Sequence, residues 1–521
     1  MALFRAMATV GGWTAVSRVL GFLRDVMIAR VLGTGPFADA FFVAFRLPNL
    51  FRALLAEGAF NASFVPLFAR RLETAGLAVA VRFSEEALSV LLAVSLLLSF
   101  VAMATMPWLM HLLAPGFGDD PAQYALAVEL ARVTFPYLVF MCLTALFAGM
   151  LNSLRKYTAA AAAPTVLNVV MIGGLVVAPW FGDTPRVLSW SVTLAGLGQF
   201  LVLLLAARRA GIAPRLPVPR LTPGVKHLLS LMGPGLIAAG AMQLNLFVGT
   251  MIATLQEGAA SILYYADRIY QLPLALFGIA LSVVLLPELT RRLQSHGEAA
   301  AREGLNRGLE YALLLTLPAT VALMVIPLPI CRALFERGAY TANDSVATAL
   351  ALFAYAAGLP AFVLTKVLQP AFFAREDTRT PLKAALAGVA CNLGLAITLF
   401  LLLRESGYGF LGLASATAIA AWVTCGLLAW RLRRRGLLVL DRRLITRMPL
   451  QLLAAIAMGL ALWGGARLLD GQLAGTSAER VIALCVLVLA GGLVYFGGAF
   501  LFGAIKRQDL GSLRPQRRKR G

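Results

Sequence analysis

The sequence predicts an all-α polytopic membrane protein of about 14 transmembrane helices: two six-helix lobes related by a parallel pseudo-two-fold repeat, plus two extra C-terminal helices. Three observations predict it. First, the 521 residues are 60% hydrophobic and only 14% charged, against roughly 45–50% and about 25% in an ordinary soluble domain. Second, apolar runs of about 20 residues, the length that crosses a hydrocarbon core of roughly 30 Å as a helix, recur from end to end. Third, the connections between them alternate in charge. A soluble chain of this composition would have too little polar sequence to cover its core.

The expected spans are 6–32, 37–66, 87–112, 124–152, 159–181, 187–207, 228–254, 259–289, 309–331, 346–373, 381–403, 409–430, 447–467 and 480–504. The first keeps its apolar character through Arg18 and Arg24 and reaches no small-residue cleavage site, so it is expected to be retained. Leu88–Met110, Phe200–Ala207 with its upstream extension, and Val481–Phe502 are the plainest apolar runs. With the N-terminus taken as cytoplasmic, 32 of the 46 Lys and Arg residues fall in cytoplasmic connections, 6 fall outside and 8 fall within spans. Arg447, at a span edge, is counted with its loop. This positive-inside bias supports an even number of spans with both termini cytoplasmic. It also accounts for most of the net charge of +21, so nucleic acid is not an expected partner. The basic tail Arg514–Arg520 reads as a topology and lipid-headgroup signal.

A repeat emerges at a separation near 221. Pro66-Leu-Phe-Ala-Arg-Arg71 matches Pro287-Glu-Leu-Thr-Arg-Arg292, Arg46 faces Arg268, and Asn168 matches Asn392. An offset of six helices gives both halves the same orientation. The expected organisation is therefore 1–208 as the N-terminal lobe (spans 1–6) and 209–227 as a basic cytoplasmic linker. Residues 228–435 form the C-terminal lobe (spans 7–12), 436–505 two additional helices forming a lipid-facing groove, and 506–521 a basic cytoplasmic tail.

Several function classes drop out. The five cysteines are scattered and read as small buried residues, and the three histidines are isolated. No phosphate-binding loop or nucleophile elbow is present. Enzymatic chemistry, metals and bound cofactors are not expected.

The informative residues are charges inside spans, where each costs at least about 2.5 kcal/mol at mid-bilayer. The basic ones are Arg18, Arg24, Arg30, Arg46, Arg52, Arg132, Arg268 and Lys366. Arg30 is expected to snorkel and Arg132 to pair with Glu129 one turn away. At 100° per residue Asp39, Arg46 and Glu57 share one face of their span, and Arg18 and Asp25 share a face two turns apart. Six arginines in spans 1, 2 and 8 stand against Asp25, Asp39, Glu57 and Asp267. Excess guanidinium in a membrane calls for an anion, and a planar donor fork suits phosphate. Pro48, Gly58 and Pro273 are expected hinges or kinks in the same spans.

Ser17-Arg-Val-Leu-Gly-Phe-Leu-Arg-Asp25, Asp39-Ala-Phe-Phe-Val-Ala-Phe-Arg-Leu-Pro-Asn49, Arg52 and Ala56-Glu-Gly-Ala-Phe60 together resemble the signature of the MurJ/MviN family. Tyr264-Tyr-Ala-Asp-Arg268, Leu113-Ala-Pro-Gly-Phe117 and Asp377-Thr-Arg-Thr-Pro381 are similar to the same family, and the likeness covers essentially the whole chain. The resemblance implies a lipid II flippase of the multidrug/oligosaccharidyl-lipid/polysaccharide exporter superfamily, acting by alternating access in the bacterial inner membrane. It implies Arg18, Arg24, Arg52 and Arg268 as substrate-binding residues. Ser17, Asp25, Asp39, Arg46, Glu57 and Asp267 become cavity support and charge tuning. Implied partners are undecaprenyl-pyrophosphate-linked lipid II, membrane lipids and cell-wall synthesis proteins. Some relatives bind sodium through acids of the seventh span, but Leu228–Ala253 contains none. Coupling is therefore expected from membrane potential or an ion gradient. The alternatives are a flippase for another undecaprenyl-linked oligosaccharide, or a drug or cation antiporter, which would want acids to dominate.

Overall fold

A computed structural model of the chain describes residues 2–505. The expected basic tail, 506–521, lies outside the described residues, as does the side chain of Glu57. Contacts divide the chain into two units, Met1–Ser261 with Gly338–Tyr340, and Ile262–Arg337 with Thr341–Gly521.

The first unit contains α1 (Ala2–Leu32), α2 (Pro36–Arg52), a π-helical segment Ala53–Phe60, α3 (Asn61–Ala75), α4 (Leu77–Ala104), α5 (Met106–Leu113), α6 (Pro121–Thr134), α7 (Tyr137–Ser153), α8 (Tyr157–Phe181), α9 (Thr184–Arg209) and α10 (Pro223–Ala253). The second contains most of α11 (Ala259–Pro273), a π segment Leu274–Ile279, α12 (Ala280–Val325), α13 (Pro327–Phe335), α14 (Ala342–Phe373), α15 (Arg379–Arg404), α16 (Gly409–Arg434), α17 (Arg442–Leu468), α18 (Asp470–Ala474) and α19 (Ser477–Leu501). Helix thus makes up most of the described chain, with helical segments at each expected span. Ten described helical stretches are long and apolar enough to cross a membrane, while α1, α2 and α11, which carry the charges, are not among them. The expected third and ninth spans are each broken. α4 gives way to α5 at Thr105 and α12 to α13 at Ile326, with a proline in the first turn of each new helix.

Local chemistry sets the helix starts. Asp120, Asp183, Thr222 and Asp441 accept backbone N–H groups at the starts of α6, α9, α10 and α17, and Thr341 and Thr476 form capping boxes with Asp344 and Glu479.

The repeat reappears in the backbone. The π segments begin at Ala53 and Leu274, 221 residues apart. Gly76 (φ 84°) and Gly297 (φ 76°), the latter bending α12, are separated by the same number, and so are Arg155 and Glu376, both at φ 60°. These two are the positive-φ non-glycine residues of the described chain. Left-handed backbone is costly for an L-residue, so its recurrence at one offset reflects a shared local fold.

Helices close up through small residues, as membrane packing requires. In the second unit a Cβ at Gly358 of α14 would lie 2.7 Å from the Ala418 Cα of α16. The two additional helices are tied in through polar groups: α17 packs on α12 and α19, and Tyr495 Oη of α19 donates to the Leu314 carbonyl at 2.8 Å. Ile482, Leu489 and Leu493 leave one face of α19 exposed and apolar. Cys485 shares that exposure, whereas Cys142, Cys331 and Cys425 are buried and Cys391 is half-buried. The expectation of buried cysteines therefore fails at Cys485, where a small apolar thiol can face hydrocarbon.

Candidate functional site

The arginines of α1 have different environments. Arg18 is exposed and Arg24 is buried. Arg24 Nε and Nη2 donate to Asp25 Oδ1 at 3.0 and 2.7 Å, and Nη1 donates to Asn168 Oδ1 of α8 at 3.1 Å. Asn168 Nδ2 in turn donates to the Ser17 carbonyl at 2.8 Å and to its hydroxyl at 3.3 Å. Asp25 therefore pairs with its neighbour rather than with Arg18, although the wheel puts Arg18 and Asp25 on one face. The reason is that cover changes along α1. Residues 8–19 are largely exposed, while Arg24, Asp25, Ile28 and Ala29 are buried.

Pro48 lacks an N–H and frees a carbonyl one turn back in α2. That carbonyl, Ala44 O, accepts from Thr134 Oγ1 of α6 at 3.3 Å. This is the usual way a hydroxyl satisfies backbone opened by proline in a membrane helix. Gly58 lies inside the π segment that follows, and Pro273 stands directly before its counterpart. Extra-residue turns of this kind concentrate at functional sites. Arg52 ends α2 at the entry to the π segment, half-buried, with Nε on Asn49 Oδ1 at 3.1 Å. Arg46 Nη1 donates to Thr250 Oγ1 of α10 at 2.5 Å.

Asp39 does something the helical wheel could not show. It is fully buried, and its two oxygens accept the backbone N–H groups of Gly258 and Ser261, each at 2.7 Å. It is therefore a cap, in trans, on the N-terminus of α11, satisfying donors that a helix start leaves open. Asp39→Ala is expected to cost about 1–3 kcal/mol through these lost charge-assisted bonds, read as a lower melting temperature, with Asp39→Asn intermediate. A melting temperature unchanged by Asp39→Ala would show that the cap carries no stability.

In the second unit the Arg268 guanidinium lies over the Tyr264 ring at 4.6 Å, and Asp267 accepts from Gln271 Nε2. Both charged residues are half-buried. Arg132 does not pair with Glu129. Its Nε donates to the Met103 carbonyl at 3.1 Å, while Glu129 takes a bidentate pair from Arg186 of α9. Arg186 offers a two-pronged fork from a facing helix, which Arg132 on the same helix cannot match. Arg447 is likewise no loop residue: it is buried in α17 against Glu310. At the connection after α14, the Thr380 backbone N–H, with the Thr380 hydroxyl and Arg435, holds Asp377 down at about 2.

A cavity of about 710 Å³ in the first unit is lined by Phe37, Gln123, Asp183 and Arg186 among others, and none of the four substrate-binding candidates lines it. Among the described residues no group of three His, Cys, Asp or Glu is placed to hold a metal. Sequence reasoning used Asn168 only as a repeat marker and overlooked Thr134, Thr250 and Glu310. A polar residue inside an apolar span was the available signal for the first three.

Helices of spanning length, with ionisable side chains on the least apolar of them, define the class: a polytopic α-helical membrane protein. The fold agrees with the inward-facing conformation of a multidrug resistance MATE family transporter of the MOP superfamily, at a TM-score of 0.68, 16% identity and coverage of 81% of this chain and 95% of that one. The particular family follows from closer likenesses. The family described as lipid II flippase MurJ matches residues 28–483. A probable lipid II flippase MurJ of Rhizobium meliloti (strain 1021) is 48% identical over 96% of this chain and 94% of its own length. The lipid II flippase MurJ of Burkholderia cenocepacia is 36% identical over 96% and 98%. A solved lipid II flippase MurJ in an inward closed conformation superposes with a TM-score of 0.78 at 25% identity, covering 96% of this chain and 99% of that one. The chain belongs to the lipid II flippase MurJ family, whose members are named as transporters rather than enzymes.

Proposed function

We propose that this protein moves lipid II from the cytoplasmic to the periplasmic leaflet of the bacterial inner membrane by alternating access, with both termini cytoplasmic. Family membership supports the substrate, and the observation that carries the chemistry is the surplus of guanidinium on α1, α2 and α11. Arg18, Arg24, Arg52 and Arg268 hold the headgroup pyrophosphate, since planar donor forks match its oxygens. The undecaprenyl tail stays in lipid beside α17 and α19, because moving methylenes from bilayer into a polar site gains nothing. Lobes 1–208 and 228–435 alternate, and membrane potential or an ion gradient drives the cycle. An antiporter for cationic drugs fits poorly with a surplus of arginine.

Depletion in a host lacking any other flippase tests the reading. Lipid II should then accumulate inside, inaccessible to an externally added headgroup-modifying reagent. A normal rate of appearance outside would end the proposal. Arg18→Ala should lower transport by at least about tenfold, the value of one or two charge-assisted bonds, with protein level and melting temperature close to native because Arg18 is exposed. If Arg18→Ala fails to accumulate, the residue is structural.

A further inference from the structure

We infer that Asn168 of α8 is a positioning residue for substrate binding: it splints the turn pair of α1 that carries Arg18 and Arg24. The inference rests on the headgroup reading above.

Its single amide bridges two points of α1. The oxygen accepts from Arg24 Nη1 at 3.1 Å, and the nitrogen donates to the Ser17 carbonyl at 2.8 Å and hydroxyl at 3.3 Å. The oxygen and nitrogen assignments follow from these partners, since a guanidinium only donates and a carbonyl only accepts. Ser17 and Arg24 are seven residues apart, two turns along one face. Gly21 lies on that face between them, where a Cβ would lie 3.5–3.8 Å from the Asn168 amide, in ordinary contact. Asn168 is 5% exposed and Arg24 is 7% exposed. α1 packs along α8, so the splint is made by one helix on another.

Two consequences bear on function. Arg24 carries a long side chain with many rotamers, and fixing its fork in advance lowers the entropy cost of binding an anion. Asp25 takes Nε and Nη2, one side of the guanidinium. Asn168 fixes Nη1, the other side, so the plane of the fork is set by both. Arg18 follows directly after Ser17, whose backbone the same amide holds. One neutral side chain thus fixes the register of both arginines without adding a negative charge that would compete with pyrophosphate.

The test uses the full chain in nanodiscs and a short-chain, water-soluble lipid II analogue as probe. Asn168→Leu keeps the branched side-chain outline and removes both bonds. It should weaken probe affinity about tenfold and also lower the melting temperature, because buried Arg24 loses an acceptor and Ser17 a donor. The same change in an Arg24→Met/Asp25→Leu background should weaken affinity by clearly less than tenfold, because Arg24 is gone and only the hold on Ser17, and through it on Arg18, is left to lose. Equal losses in both backgrounds, or no loss in the native one while Arg24→Met/Asp25→Leu loses affinity, would overturn the inference. If Asn168→Leu does not accumulate, Asn168→Ala enters the same cycle. If Arg18→Ala, Arg52→Ala and Arg24→Met/Asp25→Leu all bind the probe as the native chain does, the headgroup reading itself fails. That result is distinct from a failure at Asn168 alone.

Discussion

Arg24→Ala should destabilise the protein by about 3–5 kcal/mol, the range for breaking one side of a buried ion pair. The side chains of Arg24 and Asp25 are 9% and 3% exposed and meet at 2.7 Å. Removing the guanidinium takes the principal positive partner from a carboxylate that water cannot reach. Asn168 also loses its donor, so its oxygen must find another. The readouts are the melting temperature of the purified chain and its level in the membrane, and both should fall. Arg24→Met/Asp25→Leu replaces both charges with apolar groups of similar size, which is often neutral or stabilising. That double variant should recover the melting temperature but not headgroup binding. A native melting temperature in Arg24→Ala would mean that the pair is better solvated than its burial indicates. Arg18→Ala supplies the contrast, since it should spare stability and lose transport. The two arginines thus reach the same loss of function by different routes.

The second large effect is expected within the second unit, in α12. Glu310 of α12 is 2% exposed and gathers three guanidinium groups: Arg447 at 2.5 Å, Arg443 at 3.1 Å, and Arg307. Arg307 also pairs with Asp441, the residue that caps α17. Gln451 Nε2 donates to the Glu310 carbonyl at 3.4 Å, and Asn306 donates to the Val439 carbonyl at 2.9 Å. This network is what locks the start of α17 onto α12. Glu310→Ala leaves Arg447, 6% exposed, without its carboxylate, and should cost about 3–5 kcal/mol. The loss should concentrate in α17, seen as faster hydrogen exchange over 442–451 than over α14. Adding Arg447→Met should restore much of the stability. Uniform exchange across the second unit, or a melting temperature as in the native chain, would show that apolar contact alone holds α17.

Much of the fold was legible because the bilayer forces a simple rule. Backbone groups in hydrocarbon must be paired internally, so apolar runs of spanning length become helices, and their positions can be read directly. The break at Thr105 was not read, because Pro107 sits within an otherwise continuous apolar run. The repeat was legible from Arg46 and Arg268 and from Pro66 and Pro287. Its structural counterpart, paired π segments and paired positive-φ residues, has no local sequence signal. Among site residues, the sequence picked out Arg24, Asp25 and Asp39 as buried charges in need of explanation, but not their partners. A helical wheel gives the direction of a side chain from its own axis. It says nothing of which neighbouring helix covers which turn. So Asp25 was set with Arg18, Arg132 with Glu129, and Asp39 with Arg46.

The sequence by itself determined that this chain is a helical membrane protein and that it carries surplus arginine in its first spans. It also carried the family signature. Composition, span length and loop charge act locally, each fixed by the free energy of moving a residue between water and lipid. Only the tertiary structure decided what the charges touch. Arg24 is neutralised by Asp25 and aimed by Asn168, Asp39 caps a helix more than two hundred residues away, and Glu310 clamps α17. Each of these depends on helices meeting side by side, and the cost of leaving a buried charge or donor without a partner selects the neighbour that can satisfy it.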